Sequence, residues 1–442
     1  MLLGRHISIL LLTFGLSAVS ASGQTIRFGS ADRLDERLTK NWWESERVIH
    51  ALGGISLIGA QWRASGRVTS DWVLPPVTVR LDGSVRLGPL GTYEPDWDEL
   101  YDLVRLLAFA RYAPRDKPVH ARVGLIDRVQ LGAGHVVNFF GSSAAWDERT
   151  VGSEFIWAGR TIEVAGFSDN VLADGVLGGR VALRPVSRSD ELALSSLQLG
   201  VNYAHDRRTT LDAWNLDARF DLFSSGDVFF APFVSYAWYP GYGEGLFVGA
   251  TLYADQFIDL FSFHLRMGAF YNGKQFIPGY FNSFYPVNNL TGRIVRSGAD
   301  LENIQPDDLV GIPLAKGRGG NDLLTELQLT IQPNFSFWYY MRHYFGAQRL
   351  SEFHLRLFWQ SGNTFQIALG MDKTGKGGLI SFFHALDDQS MLVFRSDYRL
   401  AGPFFVYLHA RYGYERITGN EEAARFLVQR RFEPYLGMRV SL

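Results

Sequence analysis

His205-Asp206 and Asp387-Asp388 bring together the residue types with which a hydrolase activates water, an imidazole and carboxylates that trade a proton. Adjacent residues on an extended chain point to opposite faces, so neither doublet forms a site by itself. The chain holds no G-x-S-x-G elbow, no H-E-x-x-H zinc helix and no G-x-x-x-x-G-K-[ST] phosphate loop. Asp300, Glu302, Asp307 and Asp308 offer the hard oxygen ligands that calcium takes, but without the spacing or the glycine of an EF-hand loop. They read as a solvated loop. No catalytic residue, metal or cofactor is assigned.

Arginine is the more telling residue, and its meaning depends on the segments that carry it. Phe404, Val406, Leu408, Ala410 and Tyr412 alternate with Tyr407, His409 and Arg411. The same two-residue period sets Phe261, Phe263, Leu265, Met267 and Ala269 against Ser262, His264 and Arg266. It also sets Phe353, Leu355, Leu357 and Trp359 against His354, Arg356 and Gln360, and Leu323 to Ile331 against Glu326, Gln328 and Thr330. Side chains alternate across a strand. A segment of about ten residues with one apolar and one charged face fits a closed barrel in a bilayer, apolar face to lipid and charged face to the lumen.

That assignment sends Arg80, Arg105, Arg111, Arg122, Arg180, Arg184, Arg219, Arg266, Arg356, Arg395, Arg399, Arg411 and Arg439 inside. The acids on the same faces, Asp82, Glu163, Asp217, Asp221, Glu326 and Asp397, are fewer. Such a wall would concentrate anions in a watery lumen. Equally, the arginines could pair with acidic loops folded inward, with Asp300 to Asp308 as a constriction.

Composition agrees with a barrel. Hydrophobic residues make up 47% and aromatics 14%, with 46 glycines against 16 prolines, yet no apolar run of the mature chain approaches the roughly 20 residues of a spanning helix. A soluble propeller or sandwich would put the charged faces outside. It would leave Trp238-Tyr239, Tyr271, Trp338-Tyr339-Tyr340, Tyr344-Phe345, Tyr412 and Tyr435 unexplained, whereas near strand ends these read as interfacial girdles. There is no cysteine, and the formal charge of −2 gives no basic excess for nucleic acid.

The chain divides into three. Residues 1–23 read as a signal peptide, with Arg5 and His6 before the apolar run from Ile7 to Leu16 and small residues at Val19-Ser20-Ala21. Residues 24–75 read as a periplasmic, plug or arm segment, with a short helix over 33–43 and an ambiguous stretch at 48–73. Residues 76–442 read as the barrel, of 16 to 20 strands with 18 the centre, interrupted by a long loop at 272–320. The candidate strands include 101–112, 131–140, 150–158, 161–168 and 378–386, of which 150–158 and 161–168 could instead be halves of loops.

Leader, cysteine-free mature chain, dyad alternation and a strand running to Leu442 resemble the bacterial outer-membrane β-barrel class that includes porins. The resemblance covers roughly Val77 to Leu442. It implies an all-β, single antiparallel up-and-down barrel, exported across the inner membrane of a Gram-negative bacterium and inserted by the outer-membrane assembly machinery. Lipid and lipopolysaccharide would surround it. Leu436, Met438, Val440 and Leu442 suit the lipid face, although the chain ends in Leu442 instead of the frequent terminal aromatic. The function expected is diffusion of small hydrophilic, anionic solutes past Arg105, Arg111, Arg122, Arg219, Arg266, Glu326, Arg356, Arg395, Arg399, Arg411 and Arg439, without enzymatic chemistry. A plugged barrel serving as exporter or membrane anchor, with a periplasmic partner on its N-terminal segment, is the alternative, and an outer-membrane hydrolase the third.

Overall fold

The computed structural model describes residues 47–442 except 90, 113–118, 188–190, 226–227, 258–259, 290–292, 311, 332–333, 347–350, 363, 376–385 and 418–423. The signal peptide and the helix expected at 33–43 lie outside the described residues. The wall begins with β1 (Arg47–Ile58), β2 (Gln61–Leu74), β3 (Val77–Gly88), β4 (Leu107–Tyr112), β5 (Val119–Leu125), β6 (Val151–Ala158) and β7 (Ile162–Ser168). It continues through β8 (Val176–Leu183), β9 (Gln198–Asp206), β10 (Leu211–Arg219), β11 (Val228–Trp238), β12 (Glu244–Phe257), β13 (Phe261–Asn272) and β14 (Gly320–Ile331). It ends with β15 (Phe335–Tyr344), β16 (Ser351–Ser361), β17 (Phe365–Gly375), β18 (Ser390–Ala401), β19 (Phe404–Arg416) and β20 (Arg425–Ser441).

Each strand pairs antiparallel with the next, and β1 pairs with β20 from Val48 opposite Ser441 to Ile58 opposite Arg431. The sheet is therefore a closed barrel of twenty strands, which leaves no edge exposed to lipid. Side chains follow the pleat. On β20, Leu436, Met438 and Val440 are exposed on the outside, while Arg431, Glu433 and Tyr435 are buried within. Short turns such as 75–76 and 402–403 lie at the end that carries Arg47 and Leu442; the long connections 89–106, 126–150 and 273–319 lie at the other. In this class the short turns are periplasmic and the long loops extracellular.

Twenty strands is two above the expected centre, and the surplus has a local origin. Residues 47–74, read from sequence as part of a separate N-terminal segment, are β1 and β2, so the wall starts at Arg47 and not at 76. Glycines hide their period: Gly53 faces Gly66 across β1–β2, and a Cβ on Gly54 would lie 2.1 Å from the Pro434 carbonyl oxygen on β20. Residues 150–158 and 161–168 are two genuine strands. The expected strand at 101–112 opens with a one-turn helix, α1 (Tyr101–Arg105), and that at 378–386 lies almost wholly outside the described residues.

The expected strand at 131–140 is not in the wall at all. Residues 126–145 fold into the lumen as a hairpin plug, buried along almost their whole length. Val129 and Phe140 exchange two backbone hydrogen bonds of 2.9 Å. Part of the 273–319 loop joins them: Gly279 N–H donates to the His135 carbonyl at 2.9 Å and Asn138 N–H to the Phe281 carbonyl at 3.0 Å. Its buried main chain is thereby hydrogen-bonded, as an interior segment requires. The tip turns on Gly132 and Gly134, at φ +56° and +75°. A Cβ on Gly132 would lie 2.5 Å from the Asp217 carboxylate and 2.7 Å from the Arg180 guanidinium.

The plug packs on one side of the barrel. Val136, Val137 and Phe140 join Phe276, Phe281 and Tyr285 against Phe167, Ala204 and Ala213 of the wall. Phe139 lies among Trp338, Tyr340 and His354 at ring distances of 4.5, 4.8 and 5.3 Å. This corrects the girdle reading. Tyr239, Trp338, Tyr340, Tyr344, Tyr412 and Tyr435 are buried, whereas Tyr271 and Phe345 are exposed on the outside. Neighbours on a strand alternate, so Trp338 and Tyr340 face the plug and Tyr339 between them does not.

Candidate functional site: an arginine-lined chamber

Beside the plug, between β1–β5 and β16–β20, a cavity of about 260 Å³ remains. It extends from His50 and Tyr407, near the end with the short turns, to Asp96 and Asp147 in the long loops. Ten arginines and seven carboxylates line it. The wall strands supply most of them because one residue in two faces inward; α1 and the return leg of the plug loop supply Arg105, Asp147 and Arg149.

Of the eleven residues expected to line the passage, five meet here, Arg105, Arg122, Arg356, Arg395 and Arg411, together with Arg80 and Asp82, which the same alternation sends inside. Arg105 pairs with Asp102 at 2.6 Å and Glu99 at 2.8 Å, Arg356 with Asp372 at 2.7 Å, and Arg395 with Asp397 at 2.6 Å. Arg122 lies 5.0 Å from the centre of the Phe109 ring. The others lie elsewhere. Arg111 faces Arg122 across β4–β5. Arg219 sits 3.6 Å from Asp221, and Arg439 lies opposite His50 on the β1–β20 seam. Arg399 is exposed at a short turn, donating to the Gly402 carbonyl at 3.1 Å. Arg266 is consumed by the plug, with Nε 2.6 Å from Glu326 and Nη1 donating to the Ala133 carbonyl at 2.7 Å; Glu326 also accepts from Trp338 Nε1 at 2.8 Å.

Asp300, Glu302, Asp307 and Asp308 do not form the constriction. The first three are exposed and the last half-buried, in the part of the loop that follows Arg293–Val295, the segment paired with β20. Their carboxylates close their own turns: Asp300 Oδ1 accepts from Glu302 N–H at 3.1 Å and Asp308 Oδ2 from Gln305 N–H at 2.9 Å. Acids satisfied locally in water have no reason to enter the lumen; the apolar hairpin 126–145 does.

Sequence reading missed Arg67, Arg86, Arg149 and Arg431, and the acids Asp71, Asp127, Asp147, Asp372 and Glu433. Some carried a usable signal. His354 lies opposite Asp372 in the β16–β17 register, and Asp71 opposite Arg80 in β2–β3, so hairpin parity predicts both pairs. Others join distant segments and carry none, such as Arg86 with Glu433 at 2.9 Å and Arg431 with Asp147 at 2.6 Å.

Two guanidiniums in the chamber meet no carboxylate within ion-pairing distance among the described residues. Arg149 donates to the carbonyls of Trp146 at 3.0 Å and Arg105 at 3.4 Å. Arg411 lies 3.3 Å from the centre of the Trp146 ring, which Arg149 also approaches at 4.3 Å. Burial lowers Arg149 to about 10, which still leaves it charged at neutral pH. At the extracellular mouth, burial pushes Asp96 up to about 6 against the pull of Arg86. Burial acts the same way on Asp147, but Arg431 and its neighbours outweigh it and hold that carboxyl below its ordinary range.

Neither sequence doublet makes an acid–base site. His205 Nδ1 meets Asp212 at 3.0 Å, while Asp206 accepts from the Tyr285 hydroxyl at 2.7 Å. Asp387 caps Ser390, and Asp388 holds Ser297. His354 is the buried histidine nearest to carboxylates, at 2.7 Å from Asp372 and 2.8 Å from Glu352, but both ring nitrogens are occupied and it links the wall network to the plug.

No family model and no curated protein matches the chain. Solved structures that share its outline include OccAB3 of Acinetobacter baumannii, with a TM-score of 0.31 and 9% identity over 89% of this chain and 98% of that one. OccK9 of Pseudomonas aeruginosa gives 0.33 and 9% over 90% and 99%. Wzi of Escherichia coli, an outer-membrane carbohydrate-binding β-barrel involved in capsule assembly, gives 0.34 and 10% over 93% and 87%. Values this low leave the argument to the chain itself, whose closed even-stranded wall, apolar outer belt and unequal loops are those of a bacterial outer-membrane β-barrel.

Proposed function

We propose that the protein is an outer-membrane passage for small hydrophilic solutes, and that it favours anions. The observation that carries this reading is the chamber beside the plug, which runs from His50 and Tyr407 to Asp96 and Asp147 and holds two guanidiniums, Arg149 and Arg411, that meet no carboxylate within ion-pairing distance among the described residues. Fixed positive charge in a narrow aqueous space raises the local anion concentration. The plug limits the bore, so the solutes are small. No bond is made or broken along the way.

The test is a planar-bilayer recording of the purified protein in a potassium chloride gradient. The expected result is a small conductance whose zero-current potential lies toward that of chloride. A cation-selective current would refute the anion preference, and no current at all would favour the second reading. That reading, a plugged barrel serving an exporter or anchoring a surface complex, draws on the same hairpin; its mark would be a partner that co-purifies stoichiometrically.

A further inference from the structure

We infer that Arg411 and Arg149, which share the Trp146 ring, and Arg431, opposite Arg411 across β19–β20, form a built binding site for a compact oxyanion carrying two charges. This rests on the passage reading and gives it a definite stopping point. Arg411 and Arg149 approach one indole at 3.3 and 4.3 Å, so their charges can be no further apart than those two distances together. Both line the chamber, and the site as inferred has them meet on its side of the ring, within the reach of a single phosphate or carboxylate group accepting from both. Arg431 adds a second, independent sign. Its Nη2 is held by Asp147 at 2.6 Å and Gln429 at 2.9 Å, while Nε and Nη1 are buried with no hydrogen-bond partner. A buried donor without an acceptor is costly, and a bound oxyanion would supply one.

The geometry also sets the class. Guanidinium forks match planar or tetrahedral oxyanions in a bidentate way that a halide cannot reproduce. Two guanidiniums without carboxylate partners balance two negative charges, so a divalent ion is favoured over a monovalent one. Stacking on Trp146 fixes the guanidiniums without consuming a donor of Arg411, while Arg149 has given one hydrogen from each terminal nitrogen to a carbonyl and offers the ion those that remain.

Isothermal titration of the full-length mature protein in detergent at low ionic strength tests this, with inorganic phosphate and succinate as separate probes. Either probe should saturate near one ion per barrel, and the stronger identifies whether the site prefers a tetrahedral or a carboxylate oxyanion. Arg411→Gln should weaken binding at least tenfold. Arg411→Lys, which keeps the charge but not the fork, should weaken it at least fivefold. Heat-modifiable gel mobility verifies that each variant is folded, and removal of a cation without an acidic partner should leave assembly intact. No saturable binding, unchanged affinity in Arg411→Gln, or full affinity in Arg411→Lys overturns the site. Anion-selective current without phosphate binding overturns this inference alone; phosphate binding without current overturns the passage reading alone.

Discussion

Arg266 and Ala133 join wall to plug: the guanidinium Nη1 donates to the Ala133 carbonyl at 2.7 Å while Nε meets Glu326 at 2.6 Å. Arg266→Met would leave a buried carboxylate without its cation and a buried carbonyl without its donor. Breaking such a pair costs about 3–5 kcal/mol. The plug should loosen within an intact wall, so trypsin should cut the folded variant at Arg128 well before the wild type. Equal resistance would show that the apolar contacts hold the plug unaided.

Phe139 is the aromatic anchor of the same plug, held at φ +51° between Trp338 and Tyr340. Phe139→Ala removes about 3–5 kcal/mol of packing and should raise single-channel conductance severalfold. Deleting 299–309 should leave conductance unchanged, because Asp300 and Glu302 are exposed outside the chamber. A change in the deletion alone would reverse the roles assigned to the two loops.

The two faces of the wall should differ in tolerance. Leu436 is 56% exposed on the lipid side, and Leu436→Arg puts a cation into hydrocarbon at about 2–4 kcal/mol near the midplane. His409→Gln, on the lumen side, should assemble normally. Heat-modifiable mobility in outer-membrane fractions compares them; equal defects would mean that the faces are inverted. A cation at position 409 would fare worse than glutamine, since His409 Nδ1 lies 2.7 Å from Arg67 Nη1.

Acidity should act at the mouth. Burial raises the Asp96 carboxyl to about 6, so it is charged at pH 7 and neutral at pH 5. As pH falls through 6, Arg86 keeps only Glu433 as a counter-ion. Anion preference should therefore increase on acidification, and the step near pH 6 should vanish in Asp96→Asn. A step of the same size in that variant would assign the titration to another group.

Much of the wall was legible because lipid and water enforce the pleat: Leu436, Met438 and Val440 against Arg431 and Glu433 can be read letter by letter. β1 and β2 were not, since Gly53, Gly54 and Gly66 carry no polarity; of the three, Gly54 is the one that close approach of a neighbouring strand requires. The plug was misread as a strand because Val129 to Phe140 is buried on both faces and shows no period that separates wall from filling. The chamber was legible in kind, through Arg356 and Arg411, but not in its charge balance. Arg431 with Asp147 and Arg86 with Glu433 are brought together by closure of the barrel, which no local pattern records.

The seam of β1 with β20 has a consequence for unfinished chains. β20, the longest strand at 17 residues, saturates the backbones of both β19 and β1. A product truncated before Arg425 would carry two open rows of main-chain donors and acceptors, each group worth several kcal/mol in hydrocarbon, and could neither insert nor dissolve. Such a fragment would be an aggregation template and a substrate for periplasmic proteolysis, so the final residues decide whether all the preceding ones are of any use.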